Sequence, residues 1–156
     1  MQRVEFSGKE RHKPLGMGDF LLISPDKEHE IELLYEGEPP HGDSYHLLEI
    51  DGNPYPGYAW GCMFAFSLCS RYFAFSAMPT KYERRTAVVD LSTKSHCLLP
   101  EYIYQFRLEW PVITGDGPIS SGLIYTFDGR ENWTKLRQVT GTGQEPTVTN
   151  NTKLDG

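Results

Sequence analysis

Residues 64–76 read FAFSLCSRYFAFS. Phe64, Phe66, Phe73 and Phe75 alternate with small residues on either side of the turn Leu68-Cys69-Ser70. Alternation at a period of two puts the large side chains on one face of a strand. Two such runs joined by a short polar turn predict a β-hairpin, with strands over 61–67 and 71–76 and the four phenylalanines in the core.

The same period recurs outward from this hairpin. Residues 29–36, HEIELLYE, set Ile31, Leu33 and Tyr35 on one face and Glu30, Glu32 and Leu34 on the other. Short strands are predicted at 19–23, stopped by Ser24-Pro25-Asp26, and at 45–50, closed by the turn signal Asp51-Gly52-Asn53. Residues 86–91 and 95–99 flank a turn at Ser92-Thr93-Lys94. Further strands are expected at 102–109 and 122–127, and more weakly at 133–139. GEPPHGD (37–43), NPYPGY (53–58) and MPTKYERR (78–85) read as loops. Composition agrees, with 20 aromatic residues against 5 alanines. Aromatics suit a pleated, half-buried surface, and alanine is the best helix former. Glycine and proline total 26, and no long window free of them carries a helical apolar stripe.

The segment 63–100 also resembles one blade of a β-propeller of the WD40 or TolB-like kind. The resemblance rests on Phe66, Ser67, Arg71, Tyr72, Ala74, Phe75 and Ser76, followed by Val88, Val89, Asp90 and Leu91. The Pro-Asp-Gly turn usual in such blades is replaced here by Leu68-Cys69-Ser70. A weaker copy runs from Asp19 to Gly57, and a third, poorer one from Phe106 to Leu136. What the resemblance implies is local four-stranded meanders. Three units are too few for a closed propeller, which needs about 4–8 blades. The expected fold is therefore all-β, with antiparallel meanders packed as a sandwich or partial barrel. The expected organisation is a basic segment over 1–17, a single β domain over 18–139 and a mobile polar tail over 140–156.

Charge is the strongest functional signal. The net charge is −6, yet residues 26–51 hold nine acids and one base, while the stretches on either side each carry +1. Glu28, Glu30 and Glu32 are expected to share one strand face, about 7 Å apart. Like charges so arranged need solvent or a cationic partner. Two readings fit: a solvated outer face or sheet edge, and a docking surface for a basic protein. The docking reading takes Glu28, Glu30, Glu32, Glu36, Glu38 and Asp43 as partner-binding residues. Tyr55 and Tyr58 in one loop and Tyr82 in another join them as aromatic anchors, against the alternative that they pack over the sheet end. There is no basic stripe for nucleic acid. No apolar run approaches the roughly 18 residues of a membrane span. The start, MQRVEFSGKERHKP, lacks the apolar region of a secretory signal.

Catalytic signatures are missing: no G-x-S-x-G, P-loop, G-x-G-x-x-G or H-E-x-x-H occurs. Gly115-Asp116-Gly117 reads as a turn with no helix behind it to hold a phosphate. His41, Asp43 and His46 lack zinc-site spacing, and turn polarity accounts for them. Cys62, Cys69 and Cys97 are expected to be reduced thiols, which favours a cytoplasmic location. Cys97 is expected in the core, with its neighbour His96 on the opposite face of the strand. No catalytic, metal-binding or cofactor-binding residue is therefore expected.

In general character the chain looks like the small, acidic immunity proteins that neutralise bacterial toxins. That likeness implies a cytoplasmic monomer or homodimer which blocks a cognate toxin's basic site by shape and charge. The alternative is a structural or scaffold β-module that binds a peptide or a neighbouring subunit. A hydrolase using carboxylates such as Glu36, Asp43 and Glu101 is the least supported class.

Overall fold

A computed structural model describes residues 1–10, 17–38, 44–80 and 82–137. The fold is all-β, with twelve strands and one single-turn helix among those residues. Strands β1 (Gln2–Glu5), β2 (Phe20–Ile23), β3 (Glu30–Gly37), β4 (Tyr45–Ile50), β5 (Asn53–Phe66), β6 (Tyr72–Met78), β7 (Arg85–Asp90) and β8 (Ser95–Leu98) follow one another in a large sheet. Strands β9 (Phe106–Glu109), β10 (Val112–Gly115) and β11 (Ile124–Thr126) form a small antiparallel sheet in the order β11-β10-β9. Helix α1 (Gly117–Ser120) sits between β10 and β11, capped by the Asp116 side chain. Strand β12 (Thr134–Lys135) returns to the large sheet beside β8, completing nine strands.

The large sheet is mixed, because β1 pairs parallel to β2. All its other pairs are antiparallel. The segment expected as a polar lead-in thus contributes a strand, and Phe6 at its end is buried. The 64–76 hairpin forms as expected, with Phe64 facing Phe75 and Phe66 facing Phe73. All four phenylalanines are buried, each burial contributing about 1.5–3 kcal/mol.

The blade-like residues have local work. Ser67 Oγ accepts the Tyr72 amide at 3.0 Å across the turn. Arg71 donates two hydrogen bonds to Asp90, at 3.0 and 2.9 Å. Asp90 also caps the next turn, accepting the Ser92 amide at 3.0 Å.

The major departure is at 53–60, expected as a loop and found inside β5. Pro54 and Pro56 lie where, among the described residues, β5 pairs only with β4 and faces no strand on its other side, a position that tolerates proline. Between Ala59 and Phe64 the register against β6 slips, at Gly61 with φ of 74°. This irregularity re-aims the strand. Tyr55 and Ala59 before it, and Phe64 and Phe66 after it, all face the same core.

That core lies inside the large sheet, which curls until distant strands touch. Phe6 after β1 meets Phe66 of β5 at 5.1 Å, and Tyr55 of β5 meets His96 of β8 at 4.9 Å. At one end, Asp51 in the β4–β5 turn bonds His29 Nδ1 at 2.7 Å and pairs with Lys94 of the β7–β8 turn. One carboxylate thereby ties three turns. A second core forms where the small sheet packs on the outer face of β5–β8, around Met63, Ala74, Val88, Phe106, Ile113 and Phe127. Cys97 belongs to this second core, whereas His96 next to it faces the first, as their alternation predicts. Among the described residues no helix is long and apolar enough to cross a membrane.

Candidate functional site

Alternation decides what the outer side of β3 and β4 displays. Ile31 and Leu33 of β3, and His46, Leu48 and Ile50 of β4, are buried. The intervening side chains must therefore point outward. Register then sets them in rows. Glu32 stands opposite Glu49, with Leu21 on the far side of Glu32 and Pro54 beyond Glu49. In the next row Leu34 stands opposite Leu47, Leu47 opposite Tyr58 of β5, and Tyr58 opposite Met78 of β6. The face is thus an apolar row beside an acidic one. Leu47 is 38% exposed and Glu30, at the start of β3, is exposed.

Directly opposed side chains in an antiparallel pair have Cβ atoms about 4.5–5.5 Å apart, so two carboxylates there repel. Partial burial and the facing Glu49, with Asp19 and Glu30 nearby, hold the Glu32 carboxyl above the usual carboxylate range. Among the described residues, no lysine, arginine or histidine lies within ion-pair distance of Glu28, Glu30, Glu32, Glu36, Glu38 or Glu49. The neighbouring aromatic patch is built differently. Tyr45, Tyr58, Trp60 and Met78 cluster, and the Arg84 guanidinium lies 4.4 Å over the Trp60 ring.

The residues expected at a partner surface divide as follows. Glu30 and Glu32 occupy the outer face of β3. Glu36, at the bulge between Tyr35 and Gly37, and Glu38 just past the strand are exposed. Glu28 does not share a strand face with them. It lies in the turn before β3, where its amide donates to Asp26 at 2.9 Å. Asp43 lies outside the described residues, as do His41 and the tail over 140–156.

The three tyrosines differ just as much. Tyr58 is half-buried on the outer face, and Tyr82 is 59% exposed in the loop that follows Met78. Tyr55 is corrected: it is 5% exposed, points into the inner core, and its hydroxyl shares a hydrogen bond with His96 Nδ1 at 3.0 Å. It has no surface to offer a partner. Burial pushes the Tyr55 hydroxyl up and His96 down, so the pair is neutral.

Glu49, Leu34 and Leu47 belong to the face and were not singled out by sequence reasoning. Their signal was the pairing of 29–36 with 45–50, which fixes who stands opposite whom. His46 lies in the strand predicted over 45–50, and burial rather than turn polarity accounts for it: its Nε2–H donates to the Gly18 carbonyl at 2.9 Å. Among the described residues no cluster of His, Cys, Asp and Glu is arranged to hold a metal ion. Comparison with protein-family models, with curated proteins and with solved structures returned no match.

Proposed function

We propose that this protein binds and occludes a basic surface of another protein, in the manner of a cytoplasmic immunity protein that neutralises a bacterial toxin. The observation that carries the reading is the outer face of β3 and β4. It sets Glu30, Glu32 and Glu49 beside the row Leu34–Leu47–Tyr58, with no cation of the described residues against the acids. An uncompensated like-charge pair on a sheet costs stability, and a cationic partner turns that cost into affinity. Charge of this kind mainly speeds encounter, while buried apolar and aromatic contacts slow release. In this reading Leu47 and Tyr58, paired on that face, and exposed Tyr82 supply the contacts that slow release. The proposed role needs no chemical step, cofactor or metal.

The test is capture of a partner from native lysate by the tagged chain at low and high salt. A parallel sample carries Glu30→Lys, Glu32→Lys and Glu49→Lys. The expected result is one stoichiometric basic protein, lost in the charge-reversed sample and weakened by salt. Its expression alone is expected to arrest growth, and co-expression of the wild-type chain to restore it. A basic partner with no effect on growth would move the reading to a scaffold module. Binding indifferent to both salt and charge reversal, or no partner at any salt, would remove the acidic face from the account.

A further inference from the structure

Strand β1 ends the neighbour order of the large sheet, and among the described residues no strand pairs with its outer side. Its inner side is fixed by the parallel pairing. The Gln2 amide donates to the Asp19 carbonyl at 3.0 Å, and the Phe6 amide to the Ile23 carbonyl at 3.1 Å. Backbone groups of successive strand residues point to opposite sides. Val4 therefore also faces β2, while the N–H and C=O groups of Arg3 and Glu5 face away from it. An edge of this kind is a template for a further strand.

The side chains on the edge select that strand. Arg3 and Glu5 share one face, with Arg3 Nε 3.1 Å from a Glu5 carboxylate oxygen, and the two side chains are 54% and 50% exposed. Lys27 stands 3.7 Å from Glu5. Arg3 spends one of its five donors on Glu5, so its guanidinium can serve a second carboxylate. Val4, between them, packs against the inner core. The order of charge along the edge is its own complement when read backwards. About a two-fold axis at Val4, Arg3 stands opposite Glu5 of a second, antiparallel copy, and Glu5 opposite Arg3 of that copy. Both residues present outward backbone groups, so each such pair exchanges two main-chain hydrogen bonds. Centring the axis on Arg3 or on Glu5 sets like charges face to face, which is destabilising. A run of like charges would guard the edge against a second copy, whereas this alternation admits one.

We propose that β1 is a self-association edge, at which two copies join antiparallel about a two-fold axis at Val4 and merge their large sheets into one. The interface uses the same patch on both copies, so it closes at a dimer. It leaves the acidic rows of β3 and β4 to a different partner, because β2 lies between β1 and β3.

The experiment is sedimentation velocity of the full chain, with no residues added before Met1, from about 10 µM to about 1 mM. The expected result is a reversible monomer–dimer equilibrium within that range. Arg3→Glu and Glu5→Arg each put like charges in both cross-strand pairs, and each is expected to weaken association about tenfold. An equimolar mixture of the two variants has opposite charges in every pair and is expected to associate as the wild type does. Variants that failed to fold could not give that rescue. Val4→Cys in a Cys69→Ser background locates the axis. Facing residues of a non-hydrogen-bonded pair have Cα atoms about 4.5 Å apart, within disulfide reach, so mild oxidation is expected to link two copies at position 4. The proposal is overturned if the chain stays monomeric up to about 1 mM, a limit that excludes even millimolar affinity. It is equally overturned if both charge variants associate as the wild type does, if their mixture associates no better than either alone, or if oxidation forms no link at position 4.

Discussion

Replacing Glu32 by Gln is expected to stabilise the protein while weakening its proposed partner binding. Glu32 and Glu49 are register partners on an outward face, and no cation of the described residues lies against them. Two like charges about 5 Å apart repel by ~0.8 kcal/mol in water-like surroundings and ~3 kcal/mol at an effective dielectric of 20. Both residues are half-buried and face solvent, so the lower end applies, and a gain of about 1 kcal/mol is expected at neutral pH. The pH dependence carries its own sign. The folded-state carboxyl of Glu32 is raised above its ordinary value of 4.5. A raised acid is favourable to the fold while protonated, and its contribution is lost as pH climbs through the window from the ordinary to the raised value. The Gln variant, which never ionises, keeps that contribution. Its advantage should therefore be full at neutral pH and vanish in acid, below the carboxylate range. Urea denaturation of both proteins at the two pH values measures it. A Gln variant no more stable at neutral pH, or equally more stable in acid, would refute repulsion as the source.

Tyr55→Phe is expected to cost about 1–3 kcal/mol in thermal or urea unfolding, because His96 Nδ1 loses its partner inside the core, and to leave partner capture unchanged. Burial lowers both His46 and His96 from the ordinary 6.5. A depressed histidine favours the fold while neutral, so stability measured across a pH series should be lost as pH falls from about 6.5 toward the lowered values. Asp90→Asn should cost about 1–3 kcal/mol by urea denaturation, since one side chain holds both Arg71 and the β7–β8 turn. In a thiol-labelling time course, exposed Cys69 should react first, and Cys97, buried with its thiol pushed up to about 11, only on unfolding.

The fold was legible where strands carry one buried face. HEIELLYE, YHLLEI and the phenylalanine hairpin announce themselves by alternation, and their turns by Asp51-Gly52 and Ser92-Thr93-Lys94. It was not legible where propensity and context disagree. Pro54, Pro56 and Gly57 speak for a loop, and only the knowledge that β5 is unpaired on one side there admits them to a strand. Strand β1 (QRVE) has no apolar alternation and is held by parallel pairing with β2. Strand β10 was masked because Gly115-Asp116-Gly117, read as a turn with no helix behind it, in fact ends the strand at Gly115 and opens the single-turn helix α1 at Gly117. Of the acidic face, the charge was visible and the geometry was not. Carrying the alternation of the strand predicted over 29–36 back to Glu28 put that residue on its face, and reading 53–58 as a loop exposed Tyr55. Glu49 emerges as the partner of Glu32 only when the two strands are paired.

The neighbour order of the large sheet bears on how the chain finds its structure. From β2 through β8 each strand pairs with the next in sequence. Seven strands can therefore assemble hairpin by hairpin, each closure spanning a short turn and templated by the strand just laid down. Closing a loop costs entropy that grows with its length, and all-β proteins fold slowly when their pairings are distant. Here the distant pairings are confined to the margins: β1 beside β2 and β12 beside β8. On closure entropy alone, the hairpin of β5 and β6 with its phenylalanines is cheaper to form than the pairings at the sheet's two edges.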